Sequence, residues 1–223
     1  VPLTTAGTPL RVPRLHVITD VVLQRRHDHL ALTLAAIAGG ADLVQLRDKQ
    51  ATDEEIEPIA RAMLQRCRAR GALCLLNDRV GLAARLHADG AHVGAEDMAP
   101  AAARGLLGPQ ALLGATANDL STALALAAAP IDYLGVGPVF GTRSKARPAP
   151  TLGLEGLAAI CRAVTVPVIA IGGITADRIA EVLAAGAHGI AVLGAVAHAP
   201  DPAAATAALR EALDRAVSEA ADA

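Results

Sequence analysis

Eight short, largely aliphatic runs recur along this chain, at 15–18, 43–46, 72–76, 90–93, 112–115, 133–136, 168–171 and 189–193. Unbroken apolar runs of this length are what parallel strands need when both faces of a sheet are covered by crossovers. The segments between them carry the Ala, Leu, Arg and Glu spacing of helices. One of these, 54–70, opens on Thr52-Asp53-Glu54-Glu55, a capping-box pattern. Another, 176–185, has Thr175 placed as an N-cap. The stretch 202–223 reads as a last helix ending in a polar tail. A weak repeat supports the count: Gly39-Gly40-Ala41-Asp42, Ala88-Asp89-Gly90-Ala91 and Ala185-Gly186-Ala187-His188 each precede an apolar run. Glycine there lets a helix end in a left-handed turn before the next strand. The pattern predicts a single (β/α)8 barrel over 1–223, with tails at 1–13 and from about 217. A doubly wound open sheet is the runner-up.

A chain of 223 residues is long enough to bury a substantial core. Tyr133 and Phe140 are its only aromatic residues, so that core must be packed from aliphatic side chains. A net charge of −2 gives no general attraction for nucleic acid or an anionic membrane, and any anion binding must be local. The apolar stretches are too short to span a bilayer. Cys67, Cys74 and Cys161 are odd in number and too widely spaced for a metal knuckle, which suits a reducing compartment. The opening Val1-Pro2-Leu3-Thr4-Thr5 has neither a basic region nor an apolar signal core, so a cytoplasmic protein is expected.

Charge gathers where the apolar runs stop. Val44-Gln45-Leu46-Arg47-Asp48-Lys49, Leu76-Asn77-Asp78-Arg79, Gly94-Ala95-Glu96-Asp97 and Thr142-Arg143-Ser144-Lys145 each follow such a run. In a (β/α)8 barrel the chemistry sits at the carboxyl ends of the strands. Gln45, Arg47 and Lys49 share one parity, so in an extended segment their side chains point the same way. A guanidinium fork beside a compact ammonium suits a polyphosphate; a solvated loop with Asp48 as the salt-bridge partner is the plainer reading. Asp78 and Asp97 follow neighbouring strands, and two hard oxygen donors suit Mg²⁺ that keeps waters and binds phosphate oxygens. Asp78 can equally pair with Arg79 in a turn, and Asp97 can cap a helix over 98–107, with Glu96 close enough to exchange roles with it. Thr116 falls at the fifth strand end.

The loop from Gly137 through Lys145 to Pro150 is long and rich in glycine and hydroxyls, and is expected to act as a lid over an anion. Gly172-Gly173 and Leu193-Gly194-Ala195 follow the seventh and eighth runs, the usual place for a barrel to hold a monophosphate on backbone amides. The seven histidines show no metal spacing, and His16 and His92 read as satisfied structural groups near the barrel end.

Taken together, these clusters resemble the thiamine-phosphate synthase family, from Leu15 to about Ala208. The likeness is carried by Val17-Ile18-Thr19-Asp20, Gln45-Leu46-Arg47-Asp48-Lys49, Asn77-Asp78-Arg79 and Gly90-Ala91-His92-Val93-Gly94 with Glu96-Asp97. Asp132-Tyr133 through Gly137-Pro138-Val139-Phe140, Thr142-Arg143-Ser144-Lys145 and Ala170-Ile171-Gly172-Gly173-Ile174 complete it. The resemblance implies an enzyme joining hydroxymethylpyrimidine diphosphate to hydroxyethylthiazole phosphate, with Mg²⁺ and release of pyrophosphate. Its pattern implies that Gln45, Arg47, Lys49, Asn77 and Lys145 hold the pyrimidine diphosphate, with Arg47, Lys49 and Lys145 stabilising the leaving group. It also implies that Asp78 and Asp97 bind the metal and that Thr116, Thr142 and Ser144 are polar neighbours of the substrates. Gly173 and the Leu193-Gly194 turn would hold the thiazole phosphate. The partners implied are these small molecules, with no nucleic acid and no membrane; a homo-oligomer is compatible with the sequence.

Three positions depart from that pattern. Ala95 stands where the family often has Gln, and Gly194 where a Ser is common. Gly114-Ala115-Thr116-Ala117-Asn118 replaces Gly-x-Ser-x-His. Thiazole tautomerases share the fold and much of the pattern, and there the His of that segment takes part in proton transfer. Asn118 cannot serve as an acid or base at neutral pH, which favours the synthase. A tautomerase, or a non-catalytic barrel that binds phosphorylated ligands, are the alternatives.

Overall fold

Each aliphatic run becomes a strand, and the pairing of first with last decides between the two predicted architectures. The computed structural model describes residues 12–21, 26–141 and 150–221. Its strands are β1 (Leu15–Thr19), β2 (Leu43–Leu46), β3 (Leu73–Asn77), β4 (Gly90–Val93), β5 (Leu112–Ala117), β6 (Tyr133–Val136), β7 (Val168–Ile171) and β8 (Gly189–Val192). All neighbours are parallel, and β8 pairs with β1 through Leu15 opposite Ile190 and Val17 opposite Val192. The sheet is therefore a closed barrel in sequence order, not an open one. The helices are α1 (His29–Ala38), α2 (Asp53–Arg68), α3 (Val80–Arg85), α4 (Pro100–Leu107), α5 (Leu120–Ala127), α6 (Gly153–Ala163), α7 (Ile179–Ala184), α8 (Gly194–Ala197) and α9 (Pro202–Ala221).

Strand alternation sorts the side chains into two layers. Val44, Leu46, Cys74, Leu76, Ala91 and Val93 face outward and are buried beneath the helices. Leu43, Leu75, Leu112, Tyr133 and Ile169 face inward and fill the barrel, with Val12 joining them from the segment before β1. That segment was expected to be a tail. Instead the Val12 side chain is buried, and the Val12 carbonyl accepts from His188 Nε2 at 2.8 Å.

Several expected boundaries move for local reasons. The capping box forms: Thr52 Oγ1 accepts from Glu55 N while Glu55 accepts from Thr52 N at 2.8 Å, an arrangement that contributes about 1 kcal/mol. Thr175 does not cap with its side chain; 176–178 is a 3-10 turn, and α7 starts only at Ile179. Gly40 and Gly186 take the left-handed turns expected of them, at φ 88° and 100°. Gly90 does not, because it is already the first residue of β4, and His87 makes the turn at φ 49°. The helix expected from 98 starts at Pro100 with Ala99 at its N-cap, which ends the reading of Asp97 as that cap. The last helix runs on to Ala221, past the expected tail boundary near 217.

Candidate active site

Glycine and alanine at inward positions hollow out the carboxyl half of the barrel. A normal barrel interior is filled by layers of side chains. Here Gly135 lies opposite Thr116, and Gly94 and Gly137 also present no side chain to the wall of a cavity of about 500 Å³. Gly114 makes room below: a Cβ there would lie 2.1 Å from Cζ of Tyr133, whose ring crosses the barrel at that point.

The mouth of this cavity collects the charged strand ends. Gln45, Arg47 and Lys49 line it together, as expected from their shared parity, although β2 ends at Leu46. Arg47 is held by an ion pair to Asp20, a fully buried carboxylate just past β1. Asp48 is not its partner; that side chain turns away, accepting from Gln50 N at 2.8 Å and Ala51 N at 3.0 Å. Lys49 pairs across the mouth with Asp78. Arg79 takes no part in that pair: it reaches Asp53 at 2.6 Å and the Asp48 carbonyl at 2.8 Å, pinning the loop between β2 and α2.

Asp78 and Asp97 meet at the ends of β3 and β4. Asp78 sits in the left-handed region at φ 65°, with its N–H donating to the His92 carbonyl at 2.8 Å. Such backbone costs about 1 kcal/mol and is found where a side chain must be aimed. Asp97 Oδ2 accepts from Gly94 N at 2.7 Å. Burial first, and then the Asp97 carboxyl beside it, push the Asp78 pKa up from 3.8 to about 6, although Lys49 opposes the shift. For Asp97 burial also opposes ionisation, but hydrogen bonds from Asp78 and from Gly94 N–H outweigh it and lower its pKa. Below about pH 6 the pair therefore shares one proton, and above it two neighbouring negative charges remain that a divalent cation would relieve. Among the described residues no cluster of three or more His, Cys, Asp or Glu side chains is placed to hold a metal. Glu96 is exposed and does not line the cavity.

The rest of the wall comes from the remaining strands. Asn77 and Thr116 line it from β3 and β5, and Gly173, Leu193 and Gly194 from the turns after β7 and β8. Gly173 has φ 64° and lies so close to the next loop that a Cβ would come within 2.6 Å of the Gly141 carbonyl oxygen. Its own carbonyl accepts from Arg178 Nη1 at 3.0 Å, and that guanidinium lies 4.4 Å from the Phe140 ring centroid. Thr142, Ser144 and Lys145, and with them positions 142–149 of the expected lid, lie outside the described residues.

Sequence reasoning passed over part of the site. His16 and His92 are satisfied, as expected, but both also line the cavity. His16 donates from Nε2 to the Pro13 carbonyl at 3.0 Å, and burial lowers its pKa to about 4, so it is neutral at ordinary pH. His92 bridges the Tyr133 hydroxyl at 3.0 Å and Thr116 Oγ1 at 2.7 Å. Asp20 was quoted in a motif but given no role. The available signal was parity: Asp20 alternates with Ile18 and His16, and His92 with Gly94. Asn118, noted for replacing a His, donates from Nδ2 to the Gly137 carbonyl at the cavity wall.

Comparison with known proteins shows the family. The family model described as thiamine monophosphate synthase matches residues 15–196. The thiamine-phosphate synthase of Salinispora arenicola is 48% identical over 203 residues, covering 90% of this chain and 97% of that protein. That of Salinibacter ruber is 44% identical over 220 residues, covering 97% of each. The structure of thiamine phosphate pyrophosphorylase from Pyrococcus furiosus superposes with a TM-score of 0.83 at 38% identity, over 92% of this chain and 96% of that one. The chain belongs to the thiamine monophosphate synthase family.

Proposed function

We propose that this protein is a thiamine-phosphate synthase, joining hydroxymethylpyrimidine diphosphate to hydroxyethylthiazole phosphate with release of pyrophosphate. The observation that carries the reading is the cavity mouth, where Arg47 and Lys49 line the rim with Asp78 and Asp97 above a barrel interior lined by Tyr133 and aliphatic side chains. The pocket below suits a flat heterocycle and the charged rim suits its diphosphate. In the reaction the bond between the methylene carbon and the diphosphate oxygen breaks, and its electron pair leaves with pyrophosphate. The aminopyrimidine ring delocalises the positive charge left behind. The thiazole nitrogen then supplies its lone pair for the new C–N bond, so no strong general base is needed.

Asp78 and Asp97 fit Mg²⁺, which prefers few carboxylates and completes its shell with waters and phosphate oxygens. When bound, Mg²⁺ would supply charge neutralisation to the diphosphate. Arg47, oriented by Asp20, and Lys49 hold negative charge as it develops on the leaving oxygens. Lys49 must exchange its contact with Asp78 for one with the diphosphate, which frees the Asp78 carboxylate. Lys145, Thr142 and Ser144 are assigned to the same substrates by the family pattern. Gly173 and the Leu193-Gly194 turn, on the opposite side of the mouth, hold the thiazole phosphate. Asn118 favours this reading over a tautomerase, since its amide cannot act as an acid or base at neutral pH.

The test is pyrophosphate release from the purified protein with each substrate alone and with both, with and without Mg²⁺. Release that requires both substrates and the metal, with thiamine phosphate as product, is expected. Thiazole phosphate binding without any release would sink the synthase assignment.

A further inference from the structure

Beneath the charged mouth lies a hydrogen-bonded row that family membership does not explain. Tyr133 is fully buried inside the barrel, with its hydroxyl 3.0 Å from His92 Nδ1. On the other side of the same ring, His92 Nε2 lies 2.7 Å from Thr116 Oγ1. Tyr133 is fixed by its surroundings: Gly114 lies against its ring, and the His16 ring meets it edge-on with centroids 5.3 Å apart.

The direction of this row can be worked out from its buried end. Burial raises the Tyr133 pKa, so the phenol keeps its proton. Among the described residues its hydroxyl has one hydrogen-bond partner, His92 Nδ1. If Nδ1 carried a proton, the phenol would accept and its own O–H would be left buried without an acceptor, which is costly. A doubly protonated ring leaves the same orphan. The phenol therefore donates, Nδ1 is bare, and the ring proton sits on Nε2. Nε2–H then donates to Thr116 Oγ1. The Thr116 hydroxyl proton must turn away from the ring, and the space it faces is the cavity that Thr116 lines.

We propose that His92 is a positioning residue: held as the Nε2–H tautomer by Tyr133, it presents the Thr116 hydroxyl to the cavity as a hydrogen-bond donor for a ring nitrogen of the aminopyrimidine. The identity of the acceptor rests on the synthase reading; the direction of the row does not. The row also contributes to specificity, because a heterocycle with C–H in place of that nitrogen would leave the Thr116 proton unpaired.

Long-range ¹H–¹⁵N correlation on the intact protein tests the direction without any substrate, with the His92 signals assigned by their loss in His92→Gln. The expected spectrum has a pyridine-like Nδ1 and a pyrrole-like Nε2. A pyrrole-like Nδ1 would overturn the proposal outright. Kinetics test the consequence. Tyr133→Phe keeps the ring but removes the proton that sets the tautomer, so the KM for the pyrimidine diphosphate should rise about 3- to 10-fold, the worth of one neutral hydrogen bond. The KM for the thiazole phosphate should stay within twofold. Thr116→Val should give the same split, and His92→Gln, which keeps an amide N–H near the Nε2 position, should recover part of the loss seen in His92→Leu. Equal rises in both KM values would assign the row a merely structural role. Absence of pyrophosphate release from the unaltered protein would remove the synthase reading, while the ring spectrum would still decide the direction of the row.

Discussion

Acidification from about pH 7 to about pH 5 is expected to weaken divalent-metal binding at Asp78 and Asp97 roughly tenfold. The magnitude follows from Asp78. Burial, with Asp97 alongside, raises its pKa to about 6 in the metal-free protein. A carboxyl with that value is about nine-tenths ionised near pH 7 and about one-tenth ionised near pH 5. A metal that requires the carboxylate loses affinity in that proportion. Direct titration with Mn²⁺ as a spectroscopic stand-in for Mg²⁺, read by electron paramagnetic resonance, would report it free of any effect on turnover. The sign can be checked a second way. The folded-state value lies above the ordinary 3.8, so the native state binds the extra proton. The stability this confers is full below about pH 4 and is lost as pH rises through about 6. The lowered Asp97 pKa acts in the opposite sense and below about pH 4, outside that window. Metal-free protein should therefore lose thermal stability between these limits, and Mg²⁺ should restore it only at the upper end. Metal affinity that stays flat down to about pH 5 would refute the pairing of these two carboxylates, as would an Asp78→Asn variant that binds Mn²⁺ normally.

Asp20→Asn should weaken the pyrimidine diphosphate more than the thiazole phosphate, because it loosens Arg47. It should also cost about 1–3 kcal/mol in urea unfolding, since Asn can still accept from Arg47 but no longer balances its charge. Gly114→Ala should destabilise by about 2 kcal/mol, because the new methyl would lie 2.1 Å from Cζ of Tyr133 and the ring can yield only by disturbing its contacts with His92 and His16. Chemical denaturation and steady-state kinetics on the same samples would check both, and an unaltered midpoint for Gly114→Ala would contradict the packing described.

The barrel was legible because its signal is local and repeated. Apolar runs covered on both faces need no knowledge of their partners, and eight of them at this length leave few architectures. The rim was legible for a related reason: Gln45, Arg47 and Lys49 share a face by strand geometry alone, and all three line one cavity. Boundaries were read less well where a turn was made by an unexpected residue, as at His87, or where a helix was preceded by a 3-10 turn, as at 176–178.

Pairing is what the sequence left open. Asp48 follows Arg47 directly and Arg79 follows Asp78, yet neither adjacent pair forms; Arg47 goes to Asp20, Lys49 to Asp78 and Arg79 to Asp53. These residues lie in the turns just past β2 and β3, where the chain changes direction and aims neighbouring side chains apart, as Asp78 does at φ 65°. The Tyr133–His92–Thr116 row was hidden too, since its members come from three strands and meet only inside the closed barrel. The sequence by itself determined the strands, their order and which end of them is charged, because those depend on periodicity along the chain. Closure of β8 on β1, the partner of each ion and the buried proton that orients Thr116 were decided by tertiary structure, because each depends on groups that only folding brings within a few ångströms.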